Sequence, residues 1–90
     1  RAMWVPVAPF QKRFLELKDQ GIVAADIACR LDWRTHNGAV DGRRVHRVLG
    51  LRPYSAGKGR GYSRTREYVT LDMAERLCEA LGLDPWEVGL

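Results

Sequence analysis

The 90-residue sequence has only two cysteines and no long apolar segment. Cys29 and Cys78 lie far apart in the chain, and neither His36 nor His46 stands at a metal-ligand spacing from them. No apolar run approaches the roughly 18 residues that a membrane span needs. The sequence therefore predicts no disulfide framework, no metal or other cofactor and no membrane segment, and it favours a cytoplasmic protein.

Residues that carry catalytic chemistry are also scarce. The only serines, Ser55 and Ser63, lie in a basic segment, and no His, Asp or Cys grouping supports nucleophilic or metal catalysis. We therefore expect a protein that is not an enzyme and has no small-molecule substrate. The length and the 46% hydrophobic content predict one globular domain over residues 1–90.

Acidic residues are nearly absent from one window of the chain. Residues 34–66 hold nine of the fifteen Lys and Arg residues and a single acid, Asp41, so the window carries a net charge of +8. Residues 1–33 carry +1 and residues 67–90 carry −5. Eight of the nine are Arg, whose planar guanidinium pairs with phosphate oxygens and guanine edges. The leading predicted partner is double-stranded DNA, and the alternative is a solvated basic loop that confers only solubility.

Apolar residues at helical spacing predict two helices in the first third of the chain. Pro9 suits the first turn of one helix, and Gly21 suits its C-terminal end. A second, short helix ends near Asp32. Residues 1–8 are predicted to form an extended arm. The apolar positions are Phe10, Phe14 and Leu17 in the first helix and Ala24, Ile27, Ala28 and Leu31 in the second.

A third helix is predicted to begin at Asp41, a good N-cap residue, and to end at Gly50. Residues 34–40 before it contain Asn37 and Gly38 and predict a turn. The side chains expected to face the core are Val45, Val48 and Leu49.

The exposed side of this third helix is basic. At about 100° per residue, Arg43 and Arg47 point away from the apolar stripe, with Arg44 and His46 at its edges. A helix with Arg at its exposed first turn suits the major groove of DNA, because that groove admits one helix and its first residues reach the bases. The alternative is an ordinary amphipathic surface helix. No Asp or Glu stands at the i ± 4 positions that would support that alternative.

Residues 51–69 surround a glycine-rich centre and predict a β-hairpin, or wing. Lys58 and Arg60 stand between its glycines, where they can approach a phosphate or a minor groove. The alternative is a glycine-rich loop without strands. The tyrosines expected to pack within the wing are Tyr54, Tyr62 and Tyr68.

The last quarter of the chain predicts a capped helix and a final helical turn. Thr70 is the expected N-cap, and Gly82 the expected stop. Asp84 to Glu87 combine a capping box with Pro85 at the first helical position. We expect Trp86 to cover the core. The apolar stripe of the helix is Leu71, Ala74, Leu77, Cys78 and Leu81.

Two segments carry a resemblance to a known family. Residues 21–31, with Ile27, Ala28 and Leu31 at the packing positions, resemble the first helix of the helix-turn-helix in lambda-repressor-like regulators of the Cro and Xre type. Residues 74–85 are similar to the closing helices of that family. The basic segment that begins at Leu51 looks like the wing of MerR-type regulators and phage excisionases.

The chain departs from the helix-turn-helix pattern at three points. Val23 stands where a Ser or Thr cap is usual, and Asp32-Trp33 replaces the usual Gly-apolar turn. The connection from Asp32 to Asp41 is also longer than the family's tight turn.

The resemblance implies a mainly α fold, a compact helix-turn-helix bundle of four to five short helices with a two-stranded wing. It implies a sequence-specific double-stranded DNA-binding transcriptional regulator, repressor-like and bacterial or phage in origin. Helix 41–50 would read the major groove, and residues 51–69 would contact the backbone or minor groove. The alternatives are an excisionase-like DNA-bending protein and an antitoxin or adaptor module.

No heptad seam is present, so we expect a monomer or weak homodimer. The residues expected to contact DNA are Arg34, Thr35, Asn37, Arg43, Arg44, His46, Arg47, Arg52, Lys58, Arg60, Tyr62, Arg64 and Arg66.

Overall fold

The computed structural model describes residues 3–55 and 63–90 and has the mainly helical fold that the sequence predicts. In the described part of the chain, the helices begin and end close to the predicted positions. They are α1 (Ala8–Asp19), α2 (Ala24–Leu31), α3 (Gly42–Val48), α4 (Leu71–Leu81) and a terminal 3₁₀ helix (Pro85–Val88). No helix among the described residues is long and apolar enough to cross a lipid bilayer.

The predicted N-terminal arm, in its described part, contains a β-strand. Strand β1 (Trp4–Pro6) pairs antiparallel with a strand directly before α4, which we label β4 (Tyr68–Thr70). Val5 lies opposite Val69, and both side chains are buried. The predicted wing was therefore too long at its C-terminal end, because Tyr68 and Val69 belong to the pair that ties the N-terminus to α4.

The predicted hairpin is present on a smaller scale. Strands β2 (Tyr54–Ser55) and β3 (Ser63–Arg64) pair antiparallel, with Tyr54 opposite Arg64. The glycine-rich centre of the predicted wing, with Lys58, Arg60 and Tyr62, lies outside the described residues. The structure thus supports a two-stranded base for the wing that follows α3.

Side chains from all four helices form the core, because each helix buries the apolar stripe that its sequence predicts. The fully buried large residues are Phe10 and Phe14 of α1, Ile27 of α2, Val45 of α3, Leu49 directly after α3, Val69 of β4, and Leu77 and Leu81 of α4. Leu71 is only half-buried. The prediction for Trp86 was wrong, since its side chain is 72% exposed. Trp33, at 3% exposure, is the tryptophan that joins the core.

Local side-chain hydrogen bonds begin the helices, as the sequence predicts for Asp41 and Thr70. The Asp41 Oδ1 accepts from the Arg44 backbone N–H at 3.2 Å, and the Thr70 Oγ1 accepts from the Met73 N–H at 3.2 Å. Helix α2 lacks a capping side chain at its N-cap. There the Asp26 carboxylate accepts from the backbone N–H of the N-cap residue, Val23, at 2.9 Å, which satisfies one free donor at the start of the helix.

The connection between α2 and α3 doubles back on itself. Asp32 adopts the left-handed conformation (φ 56°) at the end of α2, and the Asp41 N–H donates to the Trp33 carbonyl at 2.9 Å. A side chain at Gly42 would lie 3.3 Å from the Ala25 backbone nitrogen. The N-terminal ends of α2 and α3 are therefore in contact, an arrangement that the long connection permits and that a tight turn would not.

Candidate nucleic-acid interface

The first turn of α3 presents two arginines to solvent. Helix α3 buries Val45 and Val48, so Arg43 and Arg44 lie on its exposed side. The hydrogen bond from the Arg44 backbone N–H to the Asp41 carboxylate fixes where the helix begins, directly before the two arginines. In the described part of the chain, the Arg43 guanidinium has no hydrogen bond or ion pair, so it is available to an external acceptor.

Arg44 contacts an aromatic ring. Its guanidinium carbon lies 4.4 Å from the centroid of the Trp33 ring. The contact orients Arg44 by a cation–π interaction, while the N–H donors of its guanidinium form no hydrogen bond with any residue that the structure describes. Arg44 is therefore held near the helix start without being neutralised.

Arg47 has an acidic neighbour within the fold. Its Nη2 lies 3.9 Å from the Asp41 Oδ2, and its side chain is only partly exposed. The sequence shows no acid four residues away, but the cap residue six positions earlier supplies one. Arg47 is thus partly paired within the fold, and Arg43 is the more available of the two arginines that face away from the core.

The turn at residues 34–40 is ordered beside the start of α3. Arg34 and Val40 form an isolated β-bridge, and the Thr35 N–H donates to the Ala39 carbonyl at 2.7 Å. The Arg34 Nε lies 3.0 Å from the Asp32 Oδ1, and its Nη1 donates to the Gly38 carbonyl at 3.2 Å. Arg34 is therefore positioned by its own turn. Thr35 is half-buried there, whereas Asn37 is exposed.

Near the other end of α3, the side chain of His46 lies close to two cations, Lys18 and Arg52. The His46 ring packs edge-on against Phe14, with 5.5 Å between ring centroids. Burial lowers the pKa of His46, and the positive charges of Lys18 and Arg52 lower it further. A hydrogen bond to the Gly42 backbone partly opposes this shift of the pKa. His46 is thus a partly buried packing residue, and Lys18 joins the basic side of α3.

Lys18 was missed by the sequence reasoning. It lies in the last turn of α1, outside the basic window, and no local pattern relates it to α3. The available signal was the helical spacing of α1. Phe14 and Lys18 are four residues apart and so lie on neighbouring positions of one helix face.

The backbone at the base of the hairpin packs closely against the end of α3. Gly50 adopts a left-handed φ of 74°, and a side chain there would collide with the Arg66 carbonyl oxygen. The Gln11 side chain donates to the Leu49 carbonyl at the same place. This close backbone approach brings Arg52 and Arg66, both exposed, to the side of the molecule where α3 ends.

We call the exposed and half-exposed cations around α3 the basic face. Its members are Lys18, Arg34, Arg43, Arg44, Arg47, Arg52 and Arg66. Of the other predicted contact residues, Lys58, Arg60 and Tyr62 lie outside the described residues, and only the backbone of Arg64 is described, in β3.

Arginines outside the basic face have a different role. The Arg13 Nε donates to the Leu81 carbonyl at 2.9 Å, and the Arg30 Nη1 to the Ala80 carbonyl at 2.8 Å. The Arg76 Nη2 donates to the Leu31 carbonyl at 2.7 Å. These bonds satisfy carbonyls at the ends of α4 and α2, where positive charge is favourable. These three guanidinium groups are therefore bonded within the fold, whereas the Arg43 guanidinium has no hydrogen bond or ion pair to any described residue.

Comparison of the chain with protein-family models, with curated proteins and with solved structures gives no match. The functional argument therefore depends on the geometry of the site.

Proposed function

We propose that the protein is a sequence-specific double-stranded DNA-binding regulator of transcription that acts in the cytoplasm. Helix α3 enters the major groove, and the hairpin after it contacts the adjacent backbone or minor groove. Arg43 and Arg44 at the first turn of α3 meet base edges or the neighbouring phosphates. Lys18, Arg34 and Arg52 contact phosphates on either side.

One observation carries this proposal. The Arg13, Arg30 and Arg76 side chains bond carbonyls at helix ends, whereas the Arg43 guanidinium is exposed and has no ion pair with any residue that the structure describes. Clustering of cations on one side of the molecule costs like-charge repulsion, and an external polyanion offsets that cost. Helix α3, which carries Arg43 and Arg44, packs its apolar side on the core, so its basic side can project into a groove of DNA.

Salt-dependent binding to random duplex DNA tests the electrostatic part. Fluorescence anisotropy of a labelled duplex between about 50 and 200 mM salt should give a log-log slope that corresponds to several phosphate contacts. Arg52→Ala should make the slope shallower by about one if Arg52 contacts a phosphate. Lys12→Ala is the matched control, because it removes an exposed cation of α1 that lies outside the basic face.

Selection from a randomised duplex library tests the specificity. On the selected site, Arg43→Ala should cost about 1 to 3 kcal/mol if Arg43 reads a base, and much less on random DNA. Equal losses on both duplexes would assign Arg43 to a phosphate. A flat salt response with no selected sequence would reject DNA binding and favour an acidic protein partner for the basic face.

A further inference from the structure

An apolar groove lies between β1 and the C-terminal 3₁₀ helix, in a part of the molecule that the proposed DNA contacts do not use. Its volume is about 630 Å³. Val5 and Val88, both buried, connect it to the core, and Leu71 is half-buried in its wall. Trp4 and Leu90 form part of its rim, and Trp4 is 59% exposed. An exposed tryptophan beside an apolar recess is characteristic of protein interfaces.

One carboxylate lines this groove, and two more, Asp84 and Glu87, stand next to its lining residues Pro85 and Val88 in the chain. Glu75 of α4 lines it directly. Burial raises the pKa of the Cys78 thiol, and the nearby negative charges of Glu87, Glu75 and Asp84 raise it further. The three acids therefore share one region of the surface. The only cation of residues 67–90 is Arg76, whose guanidinium is bonded to the Leu31 carbonyl.

The charge around the groove selects among occupants. A nucleic acid would be repelled by the carboxylates. A second copy that met this groove through a two-fold axis would place Glu75 and its neighbours near their own equivalents, which is unfavourable. An occupant with apolar side chains for the groove and Lys or Arg beside them satisfies both features.

The backbone of β1 favours a helical occupant over an added strand. Bonds from the Val7 N–H to the Glu67 carbonyl and from the Leu71 N–H to the Met3 carbonyl place residues 3, 5 and 7 toward β4. The outer edge of β1 therefore belongs to Trp4 and Pro6. Pro6 has no N–H, so an added strand would find only the Trp4 donor along this three-residue edge.

We propose that this groove binds a basic amphipathic helix of a partner protein. The apolar side chains of the helix lie against Trp4, Leu71 and Val88, and its Lys or Arg residues pair with Glu75, Asp84 and Glu87. The contact leaves the basic face open, so the protein can hold DNA and the partner at the same time.

Selection of displayed random peptides against the full chain tests the proposal. Enriched peptides should carry apolar residues at spacings of three and four, flanked by Lys or Arg, and should gain helical circular dichroism on binding. Anisotropy of a labelled selected peptide should show about tenfold weaker binding or more to Trp4→Ala and to Glu75→Lys. Both side chains are exposed, and unchanged melting temperatures would verify that the variants fold.

Matched substitutions control for bulk and charge. Glu79→Lys reverses a charge on α4 outside the groove, and Leu15→Ala removes an exposed apolar side chain of α1. Both should change peptide affinity by less than about twofold, because exposed contacts elsewhere contribute little. The affinity of Trp4→Ala for DNA should equal that of the unchanged chain, so failure of peptide binding is distinguishable from failure of DNA binding.

Several outcomes would overturn the proposal. These are no enriched peptide family, enrichment of acidic peptides, and equal peptide binding by the unchanged chain and by Glu75→Lys. A molecular mass in solution that doubles with concentration and returns to that of one chain in Trp4→Ala would assign the groove to a second copy instead.

Discussion

The Arg44 guanidinium lies over the ring of Trp33, with 4.4 Å between the guanidinium carbon and the ring centroid. Trp33 is buried, and its indole Nε1 has no hydrogen-bond partner among the described residues. The Trp33 carbonyl also accepts from the Asp41 N–H. One residue of the α2–α3 connection therefore contacts both the N-cap of α3 and a cation of its first turn.

This contact predicts that substitution of Arg44 lowers the free energy of unfolding more than the same substitution of Arg43. Arg44→Met keeps an apolar stem on the ring but removes the cation, and it should lower the free energy of unfolding by about 0.5 to 1 kcal/mol. Arg43→Met makes the same change at a position without an aromatic partner and should be close to neutral. Urea denaturation measures both, and equal values would show that the ring contact contributes nothing to stability.

Asp41 combines two roles that its substitutions can separate. Asp41→Ala removes the cap and the Arg47 ion pair and should cost about 1 kcal/mol, whereas Asp41→Asn keeps a capping oxygen and should cost less. Both variants remove the acidic partner of Arg47 and so raise the net positive charge beside the basic face, and both should bind random DNA more tightly at low salt. Thermal melts and anisotropy check the two effects. A melting temperature unchanged by Asp41→Ala would contradict the capping role.

Gly50 is predicted to tolerate no side chain. Gly50→Ala combines a left-handed backbone with a collision at the Arg66 carbonyl, and the collision alone should cost about 1 to 3 kcal/mol. Gly21→Ala is the matched control, because Gly21 has a φ of 89° with no atom within 4 Å of the added carbon. It should show only the cost of the left-handed backbone, about 1 to 2 kcal/mol. Similar losses in the two variants would mean that the chain near Arg66 moves aside readily.

His46 makes stability depend on pH. Burial and the nearby Lys18 and Arg52 lower its pKa in the folded state, so the unfolded chain binds the proton more readily. The contribution is complete above the unfolded pKa, near 6.5, and is lost as pH decreases through the folded pKa. Melting temperatures between about pH 7.5 and 5.5 should decrease less in His46→Gln than in the unchanged chain.

A matched variant and a DNA titration extend this test. His36→Gln removes an exposed imidazole from the turn and should keep the pH dependence of the unchanged chain. If His46→Gln retained that dependence too, the effect would have to come from other groups. If phosphates approach Lys18 and Arg52, bound DNA should raise the His46 pKa and couple binding to proton uptake. Proton release on binding would argue against that placement of the DNA.

Much of the local structure is predictable because its causes are local. Helix starts at Asp41 and Thr70 depend on one side chain and a backbone N–H three residues away. The buried stripes follow from helical spacing, so Phe10, Ile27 and Leu77 were identified correctly. The concentration of positive charge is a property of composition and needs no coordinates.

Long-range relationships were not predictable in this way. Val5 and Val69 are far apart in the chain, and no pattern in either segment predicts that the two pair. We expected Trp86 to cover the core, and no local pattern distinguishes it from the equally apolar Trp33. The returning α2–α3 connection buries Trp33, whereas the short 3₁₀ helix leaves Trp86 in solvent.

The candidate site divides in the same manner. The sequence by itself determined that a capped helix with Arg43 and Arg44 in its first turn lies within a basic window, because charge, capping and periodicity are local. Only the tertiary structure decided that Lys18 of α1 lies near that helix and that Asp41 forms an ion pair with Arg47. It also decided that Arg13, Arg30 and Arg76 donate hydrogen bonds to carbonyls at helix ends. These depend on which chain segments meet, and that is set by how all the apolar stripes pack into one core.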